Sequence, residues 1–207
     1  MKIETFKRLM GYIFKNKMNN LKRNLRRFWK FVWEDDSLLS WIVNVIIAFI
    51  LVKFLIYPGL GLILGTSYPV VAVVSGSMEH NSNNWWEKNK DWYLENNITE
   101  EQLNSFSNGF NKGDIMILKN GAPEKLKEGD VIVYSTSSAS NPIIHRIVQI
   151  WQENDQYYFQ TKGDNNKEQL SFEKKISEDQ IEGKAIIKIP FLGWVKIIFT
   201  NIITGGQ

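Results

Sequence analysis

The stretches Ile143-Ile-His-Arg-Ile-Val-Gln-Ile-Trp151 and Tyr157-Tyr-Phe-Gln-Thr161 flank the polar cluster Glu153-Asn-Asp-Gln156. Both stretches are rich in β-branched and aromatic residues, and the cluster between them is typical of a turn. The three segments therefore predict a β-hairpin.

Working outward from this hairpin, similar short apolar runs recur along the second part of the chain. They predict four further strands: Tyr68–Val74, Asp114–Leu118, Val131–Tyr134 and Ala185–Ile189. Residues 81–112 differ in character, because they are rich in asparagine and tryptophan, and they predict a small helical insertion. Residues 65–207 are therefore expected to form a mainly β domain.

A continuous apolar run precedes this domain. From Trp41 to Tyr57 it is interrupted only by Asn44 and Lys53, and apolar residues resume after the Pro58-Gly59 pair as far as Leu64. About 20 residues of helix cross the core of a bilayer, so residues 41–64 predict a transmembrane anchor. A secretory signal peptide is the alternative, although the polar leader before the run is too long for one. The expected fold class is mainly β, with an N-terminal transmembrane helix.

The leader, residues 1–40, is strongly basic, with ten Lys and Arg residues against four Asp and Glu residues. Its apolar residues are spaced three and four apart, on one helical stripe: Met10, Phe14, Met18, Leu21, Leu25, Phe28 and Val32. This pattern favours an interfacial helix on an anionic inner leaflet. The alternative is a helix that pairs with a partner or packs on its own domain.

The position of the positive charge also predicts topology. Because the excess of Lys and Arg lies before the apolar run, the N-terminus is expected in the cytoplasm and residues 65–207 outside the membrane. Residues 190–204 are apolar but too short to span comfortably, so they are expected to be a membrane-proximal tail.

Composition limits the chemistry. The chain has no cysteine and only two histidines, which excludes disulfides and thiol nucleophiles and argues against a zinc centre. The formal net charge of +3 over 207 residues does not require a nucleic-acid partner. No metal or organic cofactor is predicted.

A candidate nucleophile follows the first predicted strand, in Ser75-Gly-Ser77. A serine needs a general base to remove its proton. Histidine is the side chain whose unperturbed pKa lies near neutral pH, so His80 and His145 are the first candidates. His80 is three residues from Ser77, whereas His145 has the fixed direction of a strand. Lys162 or Lys119 is an alternative base, provided that the lysine is strongly desolvated.

The hairpin suggests a third residue. If its strands pair symmetrically about the turn, Gln152 faces Tyr157 and His145 faces Asp164, with Cβ atoms about 4.5–5.5 Å apart. Asp164 would then orient the imidazole, as the acid of a Ser-His-Asp system does. A bulge in the hairpin would break this register.

Five segments resemble, in order, the conserved boxes of type I signal peptidases: Ser75-Gly-Ser-Met78, Gly113-Asp-Ile-Met116, Gly129-Asp-Val-Ile-Val133, His145-Arg-Ile-Val148 and Lys162-Gly-Asp-Asn165. The resemblance extends from about Trp41 to Val195. The bacterial branch of that family carries a lysine where this chain has His145, so the chain resembles the archaeal and endoplasmic-reticulum branch.

The resemblance implies a signal-peptidase-like β domain that removes signal peptides from exported preproteins. It implies Ser77 as nucleophile, His145 as base, Asp164 as orienting acid, and the Ser75 hydroxyl with the Ser77 amide as oxyanion donors, each worth about 2.7–4 kcal/mol. Expected partners are preproteins bearing signal peptides, membrane lipids and, as a further candidate, the translocon. The expected location is the cell membrane, or the endoplasmic-reticulum membrane in a eukaryote.

The chain departs from the family pattern at two positions. Family members usually carry a second aspartate six residues after the first, where this chain has Leu170, with Glu168 nearby. His80 stands where proline is usual. A catalytically silent membrane-anchored β module that binds the export machinery is the alternative function.

Overall fold

The computed structural model describes residues 2–204 apart from 82, 83, 104 and 140. The chain divides into two compact units, Met1–Tyr57 and Pro58–Gln207. For residues 2–9, 203 and 204, only the backbone is described.

The first unit is helical. Helix α1 (Lys2–Glu34) is followed by α2 (Leu38–Leu51) and by a π-helical turn, Val52–Ile56. Ser37 caps α2, because its hydroxyl accepts a hydrogen bond from the Ser40 N–H at 3.2 Å.

Helix α3 (Tyr57–Leu64) continues the helical run. Pro58 lacks a backbone N–H and cannot supply the α-helical hydrogen bond to the carbonyl of Phe54, which lies within the π-helical turn. Among the described residues, Leu38–Leu64 is the one helical run that is long and apolar enough to cross a bilayer.

The second unit contains a single antiparallel sheet. Its described strands are β1 (Val70–Ala72), β2 (Ile115–Lys119), β3 (Val131–Tyr134), β4 (Ile143–Glu153), β5 (Gln156–Lys162), β6 (Ile176–Ser177) and β7 (Ile181–Ile189). Their order in the sheet is β1-β2-β7-β3-β4-β5-β6. The predicted mainly β fold class is therefore confirmed.

Several strands differ from the sequence-based prediction. Strand β1 is shorter, covering Val70–Ala72 instead of Tyr68–Val74. Strand β6 was not predicted, because two residues are too few for a recognisable pattern. Strand β7 begins at Ile181 instead of Ala185, because its first residues pair with β3, where Ile181 faces Tyr134.

The core consists of apolar side chains on the two faces of the sheet. One cluster contains Met78, Phe110, Met116, Leu118 and Val131. Another contains Ile132, Tyr134, Ile147, Phe159 and Ile176. Because Met78 is fully buried in the first cluster, the core fixes the segment that carries Ser77.

The insertion between β1 and β2 is helical, as predicted. It contains α4 (Trp85–Glu95) and a 3₁₀ turn, Glu100–Leu103. A third core cluster lies beneath it, formed by Trp85, Tyr93, Ile98, Leu103 and Val148. The insertion therefore packs on β4, the strand that carries His145.

The last element is α5 (Trp194–Thr204). Its first residue packs on Gly113, which has a φ of +94°, and a Cβ atom there would overlap the Trp194 ring. Exposed apolar side chains continue along α5 and the residues before it, namely Phe191, Leu192, Val195, Ile198, Phe199 and Ile202.

Candidate active site

Ser77 lies in the turn that follows β1. The turn is held from the other side by the segment after β5, because the Asn165 N–H donates to the Ser77 carbonyl at 2.7 Å and the Asn165 amide donates to the Gly76 carbonyl at 3.0 Å. Together with the buried Met78 side chain, these bonds fix the backbone around the hydroxyl.

His145 approaches Ser77 from β4. It lies opposite Ile132 of β3, and the residue is only 4 % exposed. Its Nε2 atom lies 2.9 Å from the Ser77 Oγ atom. The Ser75 Oγ atom lies 3.1 Å from the same Ser77 oxygen. The structure therefore brings together Ser77, His145 and Ser75, three of the four residues to which the resemblance gave a catalytic or oxyanion role.

The carboxylate that contacts the imidazole belongs to Glu173. Its Oε1 atom lies 2.5 Å from the His145 Nδ1 atom, and the side chain is fully buried. Glu173 ends a short 3₁₀ turn, Ser171–Glu173, that follows the loop after β5. The Leu170 N–H donates to its Oε2 atom at 2.6 Å, which holds the carboxylate in place.

These contacts select the histidine tautomer. An ionised carboxylate only accepts hydrogen bonds, so the proton of a neutral His145 lies on Nδ1, facing Glu173. The Nε2 lone pair then faces the Ser77 hydroxyl, which is the arrangement that a general base requires. Ser77, His145 and Glu173 thus have the geometry of a hydrolase triad.

The predicted contact between His145 and Asp164 is wrong. Near the turn the pairing is as predicted, with Gln152 facing Tyr157, but a bulge then shifts it by one residue, so that Arg146 faces Lys162. The additional residue, Val148, is buried in the cluster beneath the helical insertion. Because side chains alternate along a strand, the shift places Arg146, and not His145, on the face of Asp164.

Asp164 instead forms the centre of a buried polar cluster. The Arg146 guanidinium donates to both of its carboxylate oxygens, at 2.9 and 2.6 Å. The Tyr93 hydroxyl donates to Oδ1 at 3.0 Å, and the His80 Nε2 atom lies 2.9 Å from Oδ2.

These contacts keep Asp164 ionised. Burial alone would raise the pKa of Asp164, but the Arg146 charge and the hydrogen bonds from His80 and Arg146 hold the pKa well below its usual value. The cluster joins the helical insertion, through His80 and Tyr93, to the segment that fixes Ser77.

His80 therefore belongs to this cluster. Its Nδ1 atom lies 2.9 Å from the Ser107 carbonyl oxygen, and its ring stacks on Trp85 with 3.7 Å between the ring centroids. Its other ring nitrogen faces Asp164. Both nitrogens are thus engaged away from the Ser77 hydroxyl.

The two alternative bases lie elsewhere. The Lys162 ammonium donates to the Gly163 carbonyl at 3.2 Å and lies 4.9 Å from the centre of the Trp92 ring. Burial lowers the pKa of Lys162 to about 8, yet in the described structure His145 is the base in contact with Ser77. Lys119 is exposed at the end of β2.

Glu173 was not found from the sequence. Glu168, the acid considered there, is exposed, and Leu170 is 46 % exposed. Glu173 is nine residues after Asp164, in an irregular segment whose path no periodic pattern indicates. One sequence signal could have identified Glu173. It is the second acidic residue after Lys162-Gly-Asp-Asn165, and the apolar Ile176 follows it within a few residues.

For a metal the site offers too few ligands. Among the described residues, which are 2–204 except 82, 83, 104 and 140, no group of three or more His, Asp or Glu side chains could hold a metal ion.

Comparisons with known proteins bear on this geometry. No family model matches the chain. The signal peptidase complex catalytic subunit SEC11C of Homo sapiens is 26 % identical over 153 residues, which are 71 % of this chain and 65 % of that protein. The SEC11 catalytic subunit of Scheffersomyces stipitis is 29 % identical over 157 residues, 72 % of this chain and 75 % of that protein.

A third relative, the SEC11 catalytic subunit of Colletotrichum graminicola, is 28 % identical over 156 residues, 72 % of this chain and 73 % of that protein. The match thus covers 65 % of the length of the human relative. In sequence, the chain is therefore similar to catalytic subunits of the signal peptidase complex.

Proposed function

We propose that this chain is a membrane-bound serine endopeptidase that removes N-terminal signal peptides from exported preproteins. The observation that carries the proposal is the contact of 2.9 Å between the Ser77 Oγ atom and the His145 Nε2 atom, with Glu173 on the other side of the imidazole. The similarity to signal peptidase catalytic subunits supports the choice of substrate.

In the proposed mechanism, the Ser77 oxygen attacks the carbonyl carbon of the scissile peptide bond while His145 takes the hydroxyl proton at Nε2. Glu173 stabilises the imidazolium that forms. Collapse of the tetrahedral intermediate breaks the C–N bond, and His145 returns the proton to the leaving amine of the mature protein. Water, deprotonated by His145, then hydrolyses the acyl-enzyme and releases the signal peptide.

The developing oxyanion requires hydrogen-bond donors. The Ser77 N–H and the Ser75 hydroxyl are proposed for this role, and the Ser75 hydroxyl already lies beside the nucleophile, at 3.1 Å. Asp164 is proposed to support the site without contacting substrate, because it binds Arg146 and His80 instead of His145.

The sheet offers a place for an extended substrate. Strand β1 is an edge strand and leads directly to Ser75 and Ser77. The Val73 backbone pairs inward with Gly113 and Asp114 at 2.9 Å, so alternation directs the backbone groups of Val74 to the open side. A peptide added along this edge would bring its scissile bond towards Ser77.

The proposal includes an orientation. The leader carries ten Lys and Arg residues, whereas no Lys or Arg occurs between Leu64 and Lys88, so the N-terminus is placed in the cytoplasm and the β domain outside. The relatives are named as subunits of a complex, so partner subunits, like the translocon and the membrane lipids, belong to the proposal.

The test uses the full chain reconstituted into vesicles with a membrane-inserted preprotein. Mass spectrometry of the products should show cleavage after a signal peptide by the wild type and none by Ser77→Ala. Lys119→Met is the control, because Lys119 is an exposed side chain and an alternative base, and it should retain cleavage. Absence of cleavage by the folded wild type in the presence of partner subunits would favour the silent binding module. Loss of cleavage in Lys119→Met would move the base to Lys119.

A further inference from the structure

The junction between α1 and α2 is closed by two polar side chains of the apolar helical run Leu38–Leu64. The Ser40 hydroxyl donates to the Phe31 carbonyl at 2.6 Å, and the Asn44 amide donates to the Val32 carbonyl at 2.8 Å. The last carbonyls of a helix have no partner within that helix. Ser40 and Asn44 therefore satisfy the end of α1 and hold it against the first two turns of α2.

These bonds also explain why two polar residues are tolerated in the apolar run. An unpaired polar group inside a membrane is costly, whereas Ser40 is fully buried and both side chains are hydrogen-bonded. Only residues 35–37 separate α1 from α2. If α2 enters a bilayer, the C-terminal end of α1 must therefore lie at its surface.

Helix α1 presents an apolar stripe that no other part of its unit covers. The stripe consists of exposed large side chains spaced three and four apart: Met10, Phe14, Met18, Leu21, Leu25 and Phe28. Trp29 and Trp33, with ring centroids 5.7 Å apart, lie at the end nearest α2 and are exposed. Tryptophan is enriched at the interface between membrane and water.

The α1 surface outside the stripe is mainly basic, and Lys17 borders the stripe. From Met10 to Glu34 the charged residues are seven cations and one acid: Lys15, Lys17, Lys22, Arg23, Arg26, Arg27, Lys30 and Glu34. At 100° per residue, Arg23 and Arg27 lie on the side opposite Leu21 and Leu25. A surface with this arrangement complements one that is apolar below and negatively charged at the level of its headgroups.

We propose that α1 lies in the plane of an anionic lipid surface, with the stripe Met10–Phe28 immersed at the level of the upper acyl chains and Ser40 and Asn44 holding it in that plane. Lipid covers the stripe, because the short connection between α1 and α2 fixes one end of α1 at the membrane surface. The proposal does not rest on proteolytic activity.

The experiment uses the absence of cysteine from the natural chain. Single variants Leu21→Cys and Leu25→Cys on the stripe, and the matched controls Arg23→Cys and Arg27→Cys on the basic face, are spin-labelled in the 207-residue chain. The proteins are reconstituted into vesicles of phosphatidylglycerol and phosphatidylcholine, or of phosphatidylcholine alone. Accessibility to oxygen and to a water-soluble nickel chelate is measured for each label.

In the anionic vesicles, labels at 21 and 25 should be more accessible to oxygen than to the nickel chelate. Labels at 23 and 27 should be more accessible to the nickel chelate. The contrast should diminish in phosphatidylcholine alone. Equal accessibility on both faces would overturn the proposal. Shielding of the stripe from both reagents would also overturn the proposal, because it would indicate a protein partner. Spin–spin broadening would identify that partner as a second copy of the chain.

A second pair of variants tests the junction. Ser40→Ala combined with Asn44→Leu removes both hydrogen bonds, whereas Val43→Leu is a neighbouring control that leaves them intact. The double variant should lose the contrast between labels at 25 and 27, and the control should keep it. An unchanged contrast in the double variant would show that these bonds do not hold α1 in the plane.

Discussion

The Nδ1 atom of His145 lies 2.5 Å from the Oε1 atom of Glu173, a carboxylate that is fully buried. Glu173 lies beside the imidazole, in the position that symmetric pairing of the hairpin strands had predicted for Asp164. The acid of the triad comes instead from a turn nine residues further along the chain, and Asp164 serves a buried ion cluster. The predictions below separate these two roles.

Replacement of Glu173 by Gln should reduce the cleavage rate by about 10³- to 10⁴-fold, because the amide no longer selects the His145 tautomer or stabilises the imidazolium. Glu168→Gln is the control, since Glu168 is exposed, and it should cleave like the wild type. The two rates are compared with the same preprotein, and the melting temperatures show whether both variants fold. A large loss for Glu168→Gln with little for Glu173→Gln would reverse the assignment.

Asp164→Asn should act mainly on stability. Removing one partner of a buried ion pair costs about 3–5 kcal/mol, here because Arg146 and His80 lose their anion. The lowered pKa of Asp164 gives the sign of the pH dependence. Its stabilisation is present above the unfolded-state pKa of about 3.9 and is lost as pH falls through the folded-state pKa.

Urea unfolding of the wild type and of Asp164→Asn should therefore differ most near neutral pH and converge in strong acid. Glu178→Gln, at a partly buried acid that accepts a bond from the Tyr157 N–H, provides a comparison outside the cluster. Equal stability of wild type and Asp164→Asn at neutral pH would contradict the role of Asp164 as the centre of the cluster.

Lys162→Met should change stability in a different, alkaline pH range. Burial lowers the pKa of Lys162 to about 8, so the folded state binds this proton less well than the unfolded state does. The resulting cost is present below pH 8 and is relieved as pH rises towards the unfolded-state pKa of about 10.4.

The stability of the wild type relative to Lys162→Met should therefore rise by up to about 3 kcal/mol between pH 7 and about pH 10.4. Thermal unfolding at both pH values measures the change. Lys167→Met, at an exposed side chain, is the matched control and should show no such trend. A flat difference for Lys162→Met would show that its ammonium is not desolvated in the folded chain.

Gly163→Ala should impair catalysis by crowding the base. The added Cβ atom would lie 2.9 Å from the His145 Nε2 atom and 2.6 Å from the Asn166 amide nitrogen, so one of these groups must move. A displacement of about 1 Å in a catalytic group can cost about 10²-fold in rate. Gly11→Ala, where a Cβ atom meets nothing within 4 Å, is the control. Wild-type kcat in Gly163→Ala would contradict the close approach.

The strands were largely predictable because their β-branched runs have the lengths and turn signals of strands, as in β3 and β4. The contact between Ser77 and His145 was predictable from the resemblance of their sequence motifs to those of a known family. The bulge at Val148 was not, because it depends on tertiary packing against Trp85 and Tyr93. Glu173 escaped prediction for the same reason, since its position depends on the path of an irregular turn.

The central claim is that His145 and Glu173 activate Ser77. Its most direct test is the rate at which an alanine-containing peptide phosphonate forms a covalent adduct with the full chain, followed by intact mass and mapped by peptide mass spectrometry. One adduct is expected, at Ser77; it should be absent in Ser77→Ala and should form much more slowly in His145→Ala and Glu173→Gln. An adduct at another residue, or undiminished labelling in His145→Ala and Glu173→Gln, would contradict it.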